Sequence, residues 1–265
     1  MTHEVITSLQ NPQVKMLRTL NRGRAERLAN GLYLAEGEHM AAEAVKEKKA
    51  NALLLDSSAL DKYSALIDEA ALPVYVLSPH VMAAVCDAKT PQGIAALCDY
   101  PQEESLSALG ERIIVLDGVQ DPGNVGTILR SMDAAGFTGL LTDEKTADPY
   151  APKTLRASMG SVFRIPMVRS ENLPQALDRL AALGYALIAG DLRGQPFYRR
   201  PPVGERLCIL IGNEGAGLSP IVLEKATLRL KLPIIGGAES LNAAVAASVM
   251  MYDFLRERLL SHPSD

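Results

Sequence analysis

The chain has no tryptophan among its 265 residues, only 5% aromatic residues, and no apolar run approaching the roughly 20 residues that cross a bilayer. So few rings leave little for a base-stacking platform, and any reading of nucleic acid has to come from shape, phosphate contacts and a few pockets. The opening residues, Met1-Thr-His-Glu, are not a basic segment followed by an apolar one, so neither secretion nor membrane insertion is expected. Cysteine is scarce: Cys86, Cys98 and Cys208 form no CxxC pair and are too few for a disulfide framework, which fits a reducing cytoplasm. The four histidines, His3, His39, His80 and His262, share no metal-ligand spacing, and no metal is expected. Positive charge is not in excess either. A net charge of -4 argues against a protein that grips nucleic acid over its whole surface and leaves room only for a local basic face.

What is present is a core. With 48% hydrophobic residues the chain can bury one large core or two modest ones, and its length favours two domains. Residues 5–28 form a basic amphipathic segment in which Lys15, Arg18, Arg22, Arg24 and Arg27 surround Val14, Leu17, Leu20 and Leu28. It reads either as a solvated helix face or as a phosphate-contacting arm. Helix patterns at 39–49 and 60–70 then alternate with strand patterns at 52–55, 74–77 and 92–97, a small α/β layer structure. Glu36 and Glu38 flank Gly37 at a strand-to-helix turn, where carboxylates more often supply helix N-terminal charge than catalysis.

Residues 101–110 are polar and without a sustained period, so they read as a linker between a domain at 1–100 and another at 111–265. In the second domain strands are expected at 113–116, 139–142, 165–168, 185–190 and 207–211, with one more leading to Pro233, and helices at 124–135, 151–159, 173–183 and 242–260. The alternation predicts a parallel α/β sheet. The first half of the last helix, Ala243-Ala-Val-Ala-Ala-Ser-Val-Met-Met, is apolar nearly all round and calls for cover on several sides, one of which a partner subunit can supply.

Three polar loops follow apolar strands in this domain. The first, Asp121-Pro-Gly-Asn124-Val-Gly-Thr-Ile-Leu-Arg130, looks like a phosphate cradle but fits neither GxGxxG nor GxxxxGK[ST]. The second is Gly212-Asn-Glu214-Gly, and the third joins Leu232-Pro-Ile234 to Ser240-Leu-Asn242. Taken singly, Asn124 and Asn242 read as helix caps, Ser240 as a turn hydroxyl, Glu214 as a turn carboxylate and Arg130 as a surface residue of a helix. Their shared position beyond strand carboxyl ends suggests one ligand site, with glycines allowing close backbone approach.

In order, spacing and residue identity these stretches resemble the three motifs of the SpoU/TrmH family of RNA ribose methyltransferases, over about residues 111–260. The front part, with Gly31-Leu-Tyr-Leu-Ala-Glu-Gly, is similar to the substrate-binding domain of many members, which resembles ribosomal protein L30e. The resemblance implies a knotted trefoil α/β domain, an L30e-like α/β domain before it, S-adenosylmethionine held in the knot, and a homodimer formed through the methyltransferase domain. Topology rules alone would argue against a knot.

Carried over by position, Gly212, Leu232 and Leu241 are expected to hold the cofactor, with Ile211, Gly190 and Ile234 as neighbours. Asn124, Arg130, Glu214, Ser240 and Asn242 form the expected catalytic set. In it Arg130 binds a phosphate and steadies the forming alkoxide, Glu214 and Asn242 position Asn124, Arg130 and the ribose, and Ser240 supports the cofactor loop. A guanidinium is effectively always protonated, so orientation and electrostatics rank ahead of general-base catalysis for Arg130. Arg18, Arg22, Arg24, Arg27, Arg193, Arg199 and Arg200 are the candidates for RNA contact. The expected substrate is ribosomal RNA rather than tRNA; the alternative to catalysis is an RNA-binding assembly protein that keeps the fold.

Overall fold

The computed structural model describes residues 4–101 and 105–261. Residues 1–3, 102–104 and 262–265, hence His3, His262 and part of the expected linker, lie outside the described residues. Two compact units emerge: residues 1–102 together with 148–164, and residues 103–147 together with 165–265.

In the first unit β1 (Val5–Ile6), α1 (Pro12–Leu20), α2 (Arg24–Asn30), β2 (Leu32–Glu36), α3 (Glu38–Lys46), β3 (Ala50–Asp56), α4 (Ser64–Ala70), β4 (Val74–Leu77), α5 (Pro79–Val85) and β5 (Ile94–Asp99) follow one another. The sheet order is β1-β4-β3-β5-β2, with β5 antiparallel to both of its neighbours. The basic segment is a short strand and two helices rather than one element. Asn11 caps α1, whose first residue is Pro12, and an extended Gly23 separates the two helices. Val14, Leu17 and Leu20 recur at helical spacing and pack with Leu34, Leu54, Leu77 and Val81 into one core. The sequence pattern did not show α5, because Val81-Met-Ala-Ala-Val85 has no polar face to set a period against.

Arg27 corrects an expectation. Its side chain is 4% exposed, donates to Asp148 Oδ2 from Nε (3.0 Å) and Nη2 (2.6 Å), and reaches the Leu20 carbonyl from Nη1. A guanidinium so enclosed holds the fold and is not free for phosphate. Its partner comes from the distant segment carrying α7 (Pro152–Ser158), which clusters with this unit. Arg24 is half-buried and bonds Tyr100, while Arg18 and Arg22 are exposed. Glu36 is buried and accepts from Asn21 and from the backbone N–H groups of Asp87 and Ala88, whereas Glu38 pairs with Lys62 in the first turn of α3.

The second unit contains β6 (Arg112–Asp117), α6 (Pro122–Ala135), β7 (Gly139–Thr142), β8 (Met167–Arg169), α8 (Leu173–Ala182), β9 (Ala186–Pro196), β10 (Leu207–Gly212), α9 (Pro220–Lys225), β11 (Leu228–Lys231) and α10 (Ala243–Ser261). Its six strands run β11-β9-β10-β6-β7-β8, every pair parallel. Ile113, Val115, Cys208 and Leu210 join the core that includes Leu173, Leu177 and Leu180 of α8. The alternate residues Ile114, Leu116, Ile209 and Ile211 are buried as well, on the opposite face. Cover on both faces is why these strands read as unbroken apolar runs.

Part of the expected linker belongs to this core. Leu106–Leu109 form a short 3-10 turn and Leu109 is fully buried, so close to Gly139 that a Cβ there would meet its backbone. Two leucines three apart are too short a signal to register as periodicity. Among the described residues no helix is long and apolar enough to cross a membrane.

Candidate active site

The site begins where β9 departs from a regular strand. Arg229 of β11 pairs with Ala189, but the next residue, Leu230, pairs with Gln195. Residues 190–194 are therefore looped out of the ladder, and such an irregularity re-aims side chains at a strand's carboxyl end. Gly194 makes the return tight, because a Cβ there would lie 2.5 Å from the Arg229 carbonyl carbon.

Next to this bulge β10 ends in Gly212, and the chain folds straight back. Asn213 and Gly217 exchange backbone hydrogen bonds at 3.0 and 2.9 Å, with Gly217 at φ +72°. A Cβ on Gly212 would lie 2.1 Å from the Gly217 carbonyl carbon and from the Leu218 nitrogen, so only glycine fits. Asn213 fixes the turn: Oδ1 accepts from Gly215 and Ala216 N–H, and Nδ2 donates to the Gly118 carbonyl at 2.8 Å. Asp117 accepts the Ser219 N–H at 2.7 Å, and Asp143 accepts the Gly118 N–H at 3.0 Å. Sequence reasoning passed over these three anchors. Asn213 sits inside the second motif and Asp117 ends a buried strand, which were the available signals.

Between the bulge, the returned loop and the segment after β11 lies a cleft of about 510 Å³. Gly190, Ile211, Gly212, Leu232, Ile234 and Leu241, the six positions expected at the cofactor, all line it. Ser240, Glu214, Asp191, Arg193 and Met250 line it too. Its size falls within the ~300–1,000 Å³ range of small-molecule sites, and the mix of apolar walls with backbone edges suits a nucleoside with a polar tail.

A polar relay borders the cleft. Glu214 accepts from the backbone N–H groups of Gln120 and Asp121, each at 3.2 Å, and from Asn124 Nδ2 at 2.8 Å. Asn124 Oδ1 accepts from Asn242 Nδ2 at 2.9 Å, and Asn242 Oδ1 accepts the N–H groups of Ala244 and Val245. The amide orientations are forced from both ends, since the carboxylate only accepts and the helix N–H groups only donate. Burial alone raises the Glu214 carboxyl. Hydrogen bonds from Asn124, its own backbone N–H and those of Asp121 and Gln120 outweigh burial and hold it below its ordinary value.

The expected roles are thereby sorted. Asn242 is a helix cap and a relay member at once. Asn124 is not the cap: Asp121 caps α6 by accepting the Gly123 N–H, and Asn124 is buried one turn in. Arg130 is exposed and has no hydrogen bond or ion pair among the described residues, so it is not tied to Asn124, Glu214 or Asn242. Ser240 is exposed, and its hydroxyl makes no hydrogen bond among the described residues. Arg193 and Arg199 are exposed.

Arg200 overturns its expectation as Arg27 does. Its side chain is 3% exposed, paired with Asp253 at 2.6 Å and Glu257 at 2.8 Å, and set 4.1 and 4.3 Å from the ring centres of Phe197 and Phe254. It pins the chain after β9 to α10 and is not presented to RNA.

The family model described as the SpoU rRNA Methylase family matches residues 111–252, and a model of an MRM3-like substrate binding domain matches residues 11–96. The 23S rRNA (guanosine(2553)-2'-O)-methyltransferase RlmP of Bacillus subtilis is 39% identical over 255 residues, covering 93% of this chain and 97% of its own. The crystal structure of an AdoMet-bound rRNA methyltransferase from Sinorhizobium meliloti is 31% identical with a TM-score of 0.83, over 97% of this chain and 98% of its own. The SpoU methyltransferase AviRb from Streptomyces viridochromogenes, solved with the cofactor AdoMet, is 28% identical with a TM-score of 0.86, over 94% of this chain and 99% of its own.

Proposed function

This chain belongs to the SpoU rRNA methylase family and is an RNA 2′-O-methyltransferase that uses S-adenosylmethionine; we propose that its substrate is 23S ribosomal RNA and that the relay of Asn124, Glu214 and Asn242 positions the reacting ribose. The observation that carries the assignment of roles is the continuity of that relay with the cleft. Glu214 belongs to both, and Leu241 and Ala243, which flank Asn242, line the cleft. The cradle fits the cofactor: Gly212 lets the loop after β10 fold back along the cleft, while Ile211, Leu232, Ile234 and Met250 provide apolar walls.

Bound S-adenosylmethionine supplies an electrophilic methyl group on a cationic sulfonium. The residues of the chain have to hold a ribose 2′-hydroxyl in line with it, and positioning accounts for most of such a rate enhancement. Glu214 is already occupied by Asn124 and two backbone N–H groups, and its carboxyl is held low, so it serves as the anchor of the relay rather than as the acceptor of the hydroxyl proton. Arg130, exposed and without a partner in this chain among the described residues, is free to meet a nucleotide phosphate and the charge that builds on the oxygen. Ser240 stands at the cleft wall with its hydroxyl unbonded among the described residues.

The first unit is the substrate-binding part in this proposal, with Arg18 and Arg22 as its phosphate contacts, and Arg193 and Arg199 serve the second unit. The segment between β11 and α10 leads from the edge strand of the sheet to α6, where Asn242 bonds Asn124, and this course supports the reading of a C-terminal knot. Val245, Val249 and Tyr252 expose one apolar face of α10, and a second copy of the chain covers it in a cytoplasmic homodimer.

Methyl transfer from radiolabelled S-adenosylmethionine to 23S rRNA and to tRNA, with ribose-methylation mapping in cells lacking the protein, tests the substrate. Loss of one 23S rRNA mark and labelling of 23S rRNA alone are the expected results. Labelling of tRNA alone would overturn the proposal. Sedimentation at micromolar concentration tests the dimer, and a monomer would remove it.

A further inference from the structure

Asp191 is the acidic side chain that the register break in β9 turns towards the cleft. Its side chain is 12% exposed. Oδ1 accepts the Arg193 backbone N–H at 3.0 Å, and Arg193 Nε lies 3.9 Å from the same oxygen. Oδ2 has no hydrogen-bond partner among the described residues, yet it is not one of the enclosed unpartnered atoms and so keeps an accessible surface. A carboxylate this withdrawn from water, with one oxygen unmet, is completed by a donor from whatever fills the cleft.

We propose that Asp191 recognises a ribose hydroxyl of the methyl donor through Oδ2, which makes it a specificity residue of the cofactor cleft. The inference rests on the assignment of that cleft to S-adenosylmethionine. Two features favour a hydroxyl over the α-ammonium group. The Arg193 guanidinium already stands beside this carboxylate, so a neutral donor completes the pair without crowding a second cation against it. Asp191 also lies at the carboxyl end of a parallel strand, where an acid commonly takes a nucleoside's ribose hydroxyls in open α/β sheets. Of the other carboxylates that line the cleft, Glu214 is taken up by the relay and Glu239 is exposed, which leaves Asp191 as the withdrawn acid with an oxygen to offer.

Calorimetric titration of S-adenosylhomocysteine and its 2′-deoxy and 3′-deoxy analogues into wild type and Asp191→Asn protein tests this. The asparagine keeps an oxygen for the Arg193 N–H, so the thermal midpoint should hold. Wild type should bind one deoxy analogue about tenfold or more weaker than the parent, the worth of a hydrogen bond to a charged group. Asp191→Asn should weaken the parent by a similar factor, and in that variant the deoxy penalty should vanish. Equal binding of the parent by both proteins, or no deoxy penalty in wild type, would overturn the proposal. So would a difference between the two proteins that disappears only with an analogue lacking the α-amino group. Failure of wild type to bind the parent at all would instead bring down the cofactor assignment itself.

Discussion

Glu214 Oε1 lies 2.8 Å from Asn124 Nδ2, 90 positions earlier in the chain. The pair locks the loop after β10 to the first turn of α6, and Asn242 extends the lock to α10. In the proposed mechanism this connection among three loops holds the ribose in place.

Glu214→Gln should break that connection. Glutamine offers one acceptor oxygen where the carboxylate serves three donors, so at least one of the Gln120 and Asp121 N–H groups loses its partner. Misplacement of the ribose should lower single-turnover methyl transfer on the order of a hundredfold. Donor affinity, measured by calorimetry, should fall much less. Equal losses in both would show that Glu214 acts through the cofactor alone.

The same carboxyl should leave a mark on the pH dependence of stability. Burial raises it, and the hydrogen bonds from Asn124 and the backbone N–H groups more than reverse that, so its folded-state value lies below its ordinary one. A depressed carboxylate contributes stability that is complete above its ordinary value and is lost as the pH falls through the folded value. Urea melts from neutral to acidic pH should therefore show a steeper acid-side decline for wild type than for Glu214→Gln.

Gly212→Ala places a Cβ 2.1 Å from the backbone of Gly217 and Leu218, so the returned loop has to move. The expected cost is roughly 1–3 kcal/mol of stability, together with loss of S-adenosylmethionine binding. Gly204→Ala, where a Cβ meets nothing within 4 Å, is the control that should bind normally.

Arg130→Ala removes an exposed group with no partner among the described residues, so stability should change by no more than about 0.5 kcal/mol. Methyl transfer should fall by about a hundredfold or more. Donor affinity should hold. Wild-type turnover in a radiolabelled assay would remove Arg130 from the catalytic set.

Arg27 and its exposed neighbours should separate cleanly. Arg27→Ala leaves Asp148 buried without its cation and should destabilise the first unit by about 3–5 kcal/mol. Arg18→Ala with Arg22→Ala should leave melting unchanged and lower the salt slope of RNA binding by about one for each phosphate no longer neutralised. An unchanged slope would take Arg18 and Arg22 out of the RNA-binding surface.

By itself the sequence determined the alternation of strands and helices in the second unit, the parallel sheet, and three polar loops, of which the second and third line one cleft and the first is joined to it through Asn124 and Glu214. It could do so because buried parallel strands announce themselves as apolar runs, and glycine is required where a loop returns on itself. The helix α5, apolar along most of its length, and the four-residue leucine turn before β6 showed no period.

Tertiary structure alone decided which charges are free. Arg18 and Arg27 are indistinguishable in a basic segment, yet one faces solvent and the other is held by Asp148, 121 residues away. Arg200 sits beside Arg199 in sequence but lies against two phenylalanine rings, one of them on α10. Asp191 reaches the cleft only because β9 slips register against β11. Local pattern reports the period of an element, whereas burial of a charge and the aim of a bulged side chain depend on partners that the fold brings from far along the chain.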